Sequence, residues 1–343
     1  MKANKSVPTI QDVAREAGVS PSTVSNVLNR RWRQTSKETR ERILEVARRL
    51  NYQPNAMAAA LRRRSTRTIG VIVTSILNPF YTAVVRGIQD EARQHGYTTI
   101  LGNTDDDPEQ ERDMLNTLRA KQVDGMLIVT TGGCHDTIQH VSDLGVPVVM
   151  VDRGDPGLNL DAVGVDNVQA AENAVRYLIG LGHRRIAVVS GLTSGVPTRA
   201  HRLQGYLQAL AEAGLEARPE YQQVLATSVE NGAAAAARLF ELAEPPTAIM
   251  ATNTFMAIGV IQEIQRRGLR MADDVSFLMF DDPEWASLHT PGITTVAQPI
   301  QEIGARAFQL LEARITKMNA GDRQEVHFPT ALIVRGSCGA ARN

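Results

Sequence analysis

The chain has 343 residues, 43% apolar and 22% charged, the make-up of an ordinary globular protein long enough for two or three domains. No apolar run approaches the roughly 18 residues of a membrane span, the first ten residues lack a secretory signal's apolar core, and two cysteines cannot build a disulfide framework, so the cytoplasm is the expected compartment. Net charge is zero, yet residues 1–64 hold 14 Lys and Arg against 5 Asp and Glu while the remainder holds 23 against 32, so a basic head suited to a polyanion precedes an acidic body. Thr9 reads as a helix N-cap with Asp12 as capping-box partner, and Ile10, Val13, Ala14 and Ala17 make one apolar stripe that Gly18 ends. Ser20 followed by Pro21 opens a second helix two residues later, with Val24, Val27 and Leu28 inward, which is helix-turn-helix spacing. Thr35 and Glu38 read as another capping box, opening a third helix that turns Ile43, Leu44, Ala47 and Leu50 inward. Gln53-Pro54-Asn55 then breaks the chain, a helix-prone segment covers 56–61, and 62–67 looks like an exposed basic linker.

From Thr68 onward, apolar runs of strand length alternate with amphipathic stretches of 12–18 residues. The runs are 69–74, 98–102, 125–130, 146–151, 185–189, 248–251, 275–280 and 294–297. Continuous apolarity predicts strands covered on both faces, hence parallel sheets in an α/β body. So many units exceed one ordinary sheet, and the stretch 164–175 is a plausible passage from a first lobe to a second.

A helix fits the major groove of B-DNA, and the second helix of such a motif offers its N-terminal residues to base edges. Ser22, Thr23 and Asn26, with Pro21 at the tip, are the candidate readers; a generic helical hairpin or a basic protein-binding domain is the alternative. Trp32, among Arg30, Arg31 and Arg33, either stacks on a nucleic-acid backbone or roofs the small core.

The run from Ile10 to Asn29 (IQDVAREAGVSPSTVSNVLN), Thr39-Arg40 and Asn51-Tyr-Gln-Pro-Asn55 resemble the headpiece of the lactose and galactose repressor (LacI/GalR) family. The resemblance continues through Ile69-Gly70-Val71, Asn78-Pro79-Phe80-Tyr81, Asp124-Gly125, Asp166-Asn167, Leu181-Gly182-His183, Arg202-Leu-Gln-Gly-Tyr206, Asn253 with Ala257-Ile-Gly259, and Pro291-Gly-Ile-Thr-Thr295. It implies a homodimeric, ligand-controlled repressor: a helix-turn-helix headpiece over 1–53, a hinge helix and linker over 54–67, and a two-lobed body like periplasmic binding proteins over 68–343. The first lobe would take about 68–165 and 298–325, the second about 166–297 and 326–337. Operator DNA in inverted repeat and a small-molecule effector are the implied partners, with no cofactor, no metal and no membrane. Arg30 and Asn55 join the DNA-contacting candidates, and Leu61 occupies the position of a hinge leucine that enters the minor groove, where an apolar wedge can kink the duplex. The plain alternative has Leu61 capping the first lobe's core.

By the same resemblance the effector cleft falls on Thr74, Phe80, Tyr81, Thr130, Asp152, Asp166, Thr198, Arg202, Asn253, Asp281 and Gln298. Carboxylates and amides for hydroxyls, an arginine fork and aromatic faces suit a carbohydrate or related polar metabolite. Asp166 could equally cap the helix that starts at Asn167. One departure is Thr254, where the family commonly has aspartate: the missing charge makes a sugar acid or phosphorylated ligand more acceptable.

No Gly-x-Gly-x-x-Gly, phosphate-binding, His-Glu-x-x-His or Gly-x-Ser-x-Gly motif occurs, which argues against an enzyme. Asp105-Asp106-Asp107 lacks calcium-loop spacing and reads as an acidic cap before Pro108. His135 and His140 near Cys134 read as a solvated helix face rather than a metal site. The rival to a repressor is a small-molecule binding protein or enzyme whose basic head serves another purpose.

Overall fold

A computed structural model describes residues 8–29, 32, 35–52, 65–155, 157–317 and 321–342, and the chain divides into two compact units, Met1–Thr66 and Arg67–Asn343. In the first unit, α1 (Ile10–Ala17), α2 (Pro21–Leu28) and α3 (Lys37–Arg49) enclose a core of Val13, Ala14, Ala17, Val24, Val27, Ile43, Val46 and Ala47. The Thr9–Asp12 capping box forms, Gly18 ends α1 at φ 61°, and Ser20 caps α2 by accepting from the Thr23 N–H at 3.2 Å. Two expectations shift. Ser36, not Thr35, caps α3, accepting from the Thr39 N–H at 3.2 Å. Leu44 is exposed and Val46 takes the inward position, because α3 starts at Lys37 and its inner stripe runs through Ile43, Val46 and Ala47. Trp32 is half-exposed, its indole N–H donating to the Val27 carbonyl at 3.3 Å and the Arg40 guanidinium lying 4.6 Å over its ring.

The second unit contains two six-stranded sheets. The first runs β1 (Thr68–Val73), β2 (Thr98–Asn103), β3 (Gly125–Ile128), β4 (Val148–Val151), β5 (Asp161–Val165) and β11 (Glu325–Phe328), in spatial order β11-β5-β4-β3-β1-β2, all parallel. The second runs β6 (Ile186–Gly191), β7 (Gln222–Leu225), β8 (Ala248–Ala251), β9 (Ser276–Phe280), β10 (Thr294–Ala297) and β12 (Ala331–Ile333), in order β12-β10-β9-β8-β6-β7, with β12 alone antiparallel.

Helices explain the unbroken apolar strands. α4 (Pro79–Gln94) and α12 (Ile300–Ile315) cover one face of the first sheet, α5 (Pro108–Ala120) and α6 (His135–Asp143) the other, so that Val71 and Val73 serve one core and Ile72 the opposite one. In the second lobe, α7 (Asn167–Gly180) and α8 (Pro197–Glu212) oppose α9 (Val229–Phe240) and α10 (Thr254–Arg266) in the same way, and a short α11 (Glu284–Leu288) follows β9. The chain passes between sheets after β5, after β10 and after β11. The last passage lies beyond Phe328, so 326–328 belong to the first sheet and not, as the sequence suggested, to the second lobe. The reason is register: Glu325 to Phe328 pair with Ala162 to Val165 along the edge of β5. No described helix is long and apolar enough to cross a membrane.

Candidate functional site

The C-terminal ends of both sheets face a cleft that encloses a cavity of about 180 Å³. Strand ends are where open α/β sheets present ligand groups, because side chains there are aimed by the rigid sheet but released from the ladder. Thr74 follows β1 and is buried; Asn78 caps α4, accepting from the Phe80 N–H at 3.0 Å and so placing Phe80 and Tyr81 in the cavity wall. Asp152 follows β4 and receives the Tyr81 hydroxyl at 3.2 Å, while burial pushes the Tyr81 phenol up to about 12, which keeps it a donor. Thr198 and Arg202 come from the first turns of α8, Asn253 caps α10, and Asp281 follows β9. Gln298 lies in the passage between β10 and α12, where the chain leaves one lobe for the other.

The polar groups are held so that each has a fixed role. Arg202 donates from Nε to Asn167 Oδ1 at 2.7 Å and from Nη1 to the Thr252 carbonyl at 2.6 Å, with its guanidinium 4.1 Å over the Phe280 ring. Asn253 accepts from the Met256 N–H at 3.0 Å, which fixes Nδ2 as the donor left over. Gln298 donates to Asp281 Oδ1 at 2.7 Å, which leaves Oε1 as an acceptor. Among the described residues, Asp152 Oδ1, Thr227 Oγ1, Asn253 Nδ2 and Gln298 Oε1 are buried without a hydrogen-bond partner, and all four residues line this cavity. Burial raises the Asp281 carboxyl above its ordinary value, Asp152's charge adding to the effect and Arg202, Gln298 and Thr254 opposing it.

Two expected cleft residues lie outside. Thr130 accepts from the Gly132 N–H at 3.0 Å, and its carbonyl receives Arg153 at 3.0 Å; it lines a separate hollow with Gly132, Gly195 and Pro197. Asp166 is exposed and caps α7, accepting from the Gln169 N–H at 2.9 Å; its neighbour Asn167 is the one that turns inward to hold Arg202. Thr254 does not line the cavity but stands behind Asp281, donating to Oδ2 at 3.2 Å.

Sequence reasoning missed Asp106, Arg153, Arg199 and Phe255 in the cavity wall. Of the acidic triplet only Asp107 caps α5, accepting from the Glu109 N–H at 2.8 Å; Asp106 is a cleft residue. Arg199 carried a local signal, since it lies one turn before Arg202 on the same helix face. Arg153 did not, because its role depends on a loop 47 residues away.

In the headpiece, Pro21 and Ser22 are exposed and Thr23 and Asn26 half-exposed, on the side of α2 opposite the buried Val24 and Val27. Arg30, Asn55 and Leu61 lie outside the described residues. Near Cys134, His135 Nδ1 meets Asp155 Oδ2 at 2.9 Å, and burial pushes the thiol up to about 11.

Residues 9–55 match the family model of bacterial regulatory proteins of the lacI family, and residues 66–333 match that of periplasmic binding proteins and the sugar binding domain of the LacI family. The chain belongs to the LacI family. It is a helix-turn-helix transcriptional regulator with an effector-binding type of body. It is 37% identical to catabolite control protein A of Priestia megaterium over 96% of this chain and 98% of that one. It is 36% identical to the HTH-type transcriptional repressor CytR of Escherichia coli (strain K12), over 99% of each chain. Among solved structures, the lac repressor dimer bound to operator and the anti-inducer ONPF matches with a TM-score of 0.84 at 25% identity, covering 96% of this chain and 98% of that one.

Proposed function

We propose that this LacI-family regulator is a cytoplasmic repressor that binds an inverted-repeat operator as a homodimer and takes a small polar effector, of the carbohydrate type, into the cleft between its two sheets. The observation that carries the effector reading is the cluster of buried unpartnered groups, two acceptors in Asp152 Oδ1 and Gln298 Oε1, a donor in Asn253 Nδ2 and a hydroxyl in Thr227. A buried polar group left unpaired costs about 1–3 kcal/mol, so groups aimed into the cavity in this way favour a ligand that offers hydroxyls and ring oxygens. Phe80 and Phe255 supply apolar faces for a ring. For DNA, the basic head presents Pro21, Ser22, Thr23 and Asn26 on the free side of α2, and the family resemblance adds Arg30, Asn55 and Leu61. For the dimer, Leu77 and Leu288, 77% and 81% exposed, are large apolar side chains that a second copy would cover.

A thermal-melt screen of the full chain over sugars, sugar acids, polyols, sugar phosphates and nucleosides tests the reading. A ligand at 100 times its dissociation constant stabilises by about 2.7 kcal/mol. The expected result is a saturable rise that Asn253→Ala and Gln298→Ala weaken, from a ligand that also changes operator retardation in a gel. A screen without any saturable stabiliser sinks the effector reading, and retardation of operator DNA that ignores the ligand sinks its coupling to repression.

A further inference from the structure

Asp106 bridges the two lobes. It stands in the loop after β2 of the first lobe, receiving Arg153 Nη1 at 2.7 Å on one carboxylate oxygen and Arg199 Nη2, from α8 of the second lobe, at 2.9 Å on the other. Both guanidinium groups are largely withdrawn from water, with 6% and 14% of their side chains exposed, and both line the cavity. Among the described residues, Asp106 is the carboxylate within ion-pair distance of either. Although burial works against its charge, the two arginines hold the Asp106 carboxyl below its ordinary value, so it is ionised throughout the neutral range. Arg202 is balanced differently, by Asp281 at longer range.

We propose that Asp106 is the specificity-determining residue of the cleft: it supplies from within the protein the negative charge that Arg153 and Arg199 would otherwise demand of a ligand, so the cavity takes neutral hydroxyl-rich molecules and excludes carboxylated and phosphorylated ones. The consequence for effectors rests on the effector reading above; the competition for the two arginines does not. A paired guanidinium fork is the side-chain arrangement best matched to carboxylate, phosphate or sulfate, and a buried cation deprived of its partner is strongly unfavourable. An anionic ligand must therefore displace Asp106 before it binds, whereas a neutral one leaves the bridge closed. This runs against the expectation drawn from Thr254 alone, because the carboxylate paired with Arg153 and Arg199 is Asp106, whereas Thr254 touches Asp281.

Sulfate is the probe, being a divalent anion that two guanidinium groups can share. The full chain, Asp106→Asn and Asp106→Gly are melted in rising sodium sulfate against sodium chloride of matched ionic strength, together with the double variant Asp106→Asn/Arg199→Gln. The backbone at Asp106 has φ 58°, a conformation that Asn and Gly both accept, which gives two independent chances of a folded variant. The wild type should respond to sulfate no more than to chloride. Asp106→Asn should gain saturable sulfate binding about tenfold or more tighter than wild type, and the double variant should lose it. Sulfate binding by the wild type as tight as by Asp106→Asn overturns the proposal, and so does a folded Asp106→Asn or Asp106→Gly that gains none. A ligand screen with no neutral hit would sink the effector reading and leave the sulfate result standing.

Discussion

The two lobes share a strand order and end their corresponding strands alike, yet they bring different chemistry to the cleft. β4 is followed by Asp152 at φ 61° and β9 by Asp281 at φ 69°, a left-handed backbone that is uncommon outside glycine and that aspartate tolerates because its short side chain can bond locally. The next residue decides the difference. In the first lobe Arg153 is buried and turned to Asp106, so that side of the cleft carries formal charge. In the second, Asp282 is tied away from the cleft to both Arg335 guanidinium nitrogens, at 2.7 and 3.0 Å, and to the Thr295 hydroxyl at 2.9 Å. That lobe meets the cavity with Asn253, Thr227, an Asp281 held by Thr254 and Gln298, and the Arg199 and Arg202 guanidinium groups of α8. Duplicated backbone thus fixes where a carboxylate sits, while the cavity's arginines come from the residue next to it in the first lobe and from helix α8 in the second.

The largest effect is expected where the lobes touch. Gly132 of the first lobe and Gly195 of the second have φ 89° and 72°, and a Cβ on Gly132 would lie 1.8 Å from the Gly195 carbonyl oxygen. Gly132→Ala therefore holds the lobes apart or distorts the loop, and should abolish effector stabilisation, the whole of the roughly 2.7 kcal/mol expected at 100 times the dissociation constant. Scattering should show a wider body in this variant. Effector affinity within twofold of wild type, measured by calorimetry, would mean that the closed approach of the lobes has no part in binding.

Next comes Arg202, one of two arginines that the second lobe contributes. Arg202→Ala removes donors from the cavity and strands Asn167 Oδ1 and the Thr252 carbonyl, each worth about 1–3 kcal/mol when left unpaired. Effector affinity should fall about tenfold or more, with operator binding in the absence of effector retained. A variant that binds effector normally would place Arg202 in the scaffold only.

Asp281 tests the neutral clasp through pH. Its folded-state carboxyl lies above the ordinary value of 3.8, chiefly through burial, so ionisation costs stability: the cost is absent below 3.8, grows as pH rises from there and is complete once pH passes the folded value. Asp281→Asn should accordingly melt higher than wild type at pH 7, with the gap closing toward pH 3.8, while binding effector more weakly. A variant that melts lower at pH 7 and equally so in acid would show that the Thr254 and Gln298 hydrogen bonds outweigh the buried charge.

The headpiece was legible almost residue by residue because its signals are local: Thr9 with Asp12, Gly18, and Ser20 before Pro21 act within one turn. Its errors were local too, since Thr35 and Ser36 are both caps by type and only the helix start at Lys37 selects between them. In the body, strands covered on both faces announced themselves, but β7 and β11 are partly exposed edge strands whose apolar pattern is diluted, and the run before β5 is broken by loop residues. Within the cleft, residues fixed by strand ends could be placed by family resemblance. Asp106 could not, because a carboxylate joining arginines 47 and 93 residues away leaves no mark on its neighbours, and Asn167 was missed by one position because Asp166 has the same cap chemistry.

That adjacency gives the smallest effect. Asp166 and Asn167 open α7, one pointing to solvent as the cap and the other inward to Arg202, so they separate a stability role from a binding role within one dipeptide. Replacing an N-cap aspartate with alanine costs about 0.5–2 kcal/mol, here the loss of the acceptor for the Gln169 N–H. Asp166→Ala should lower the melting temperature by a few degrees at most and leave the effector dissociation constant unchanged, since the side chain does not reach the cavity. Asn167→Ala should do the reverse, with a small change in melting and a weaker effector, because the Arg202 fork loses the partner that aims it. If calorimetry finds the effector weakened as much by Asp166→Ala as by Asn167→Ala, the start of α7 moves as a unit on binding and the division between cap and site does not hold.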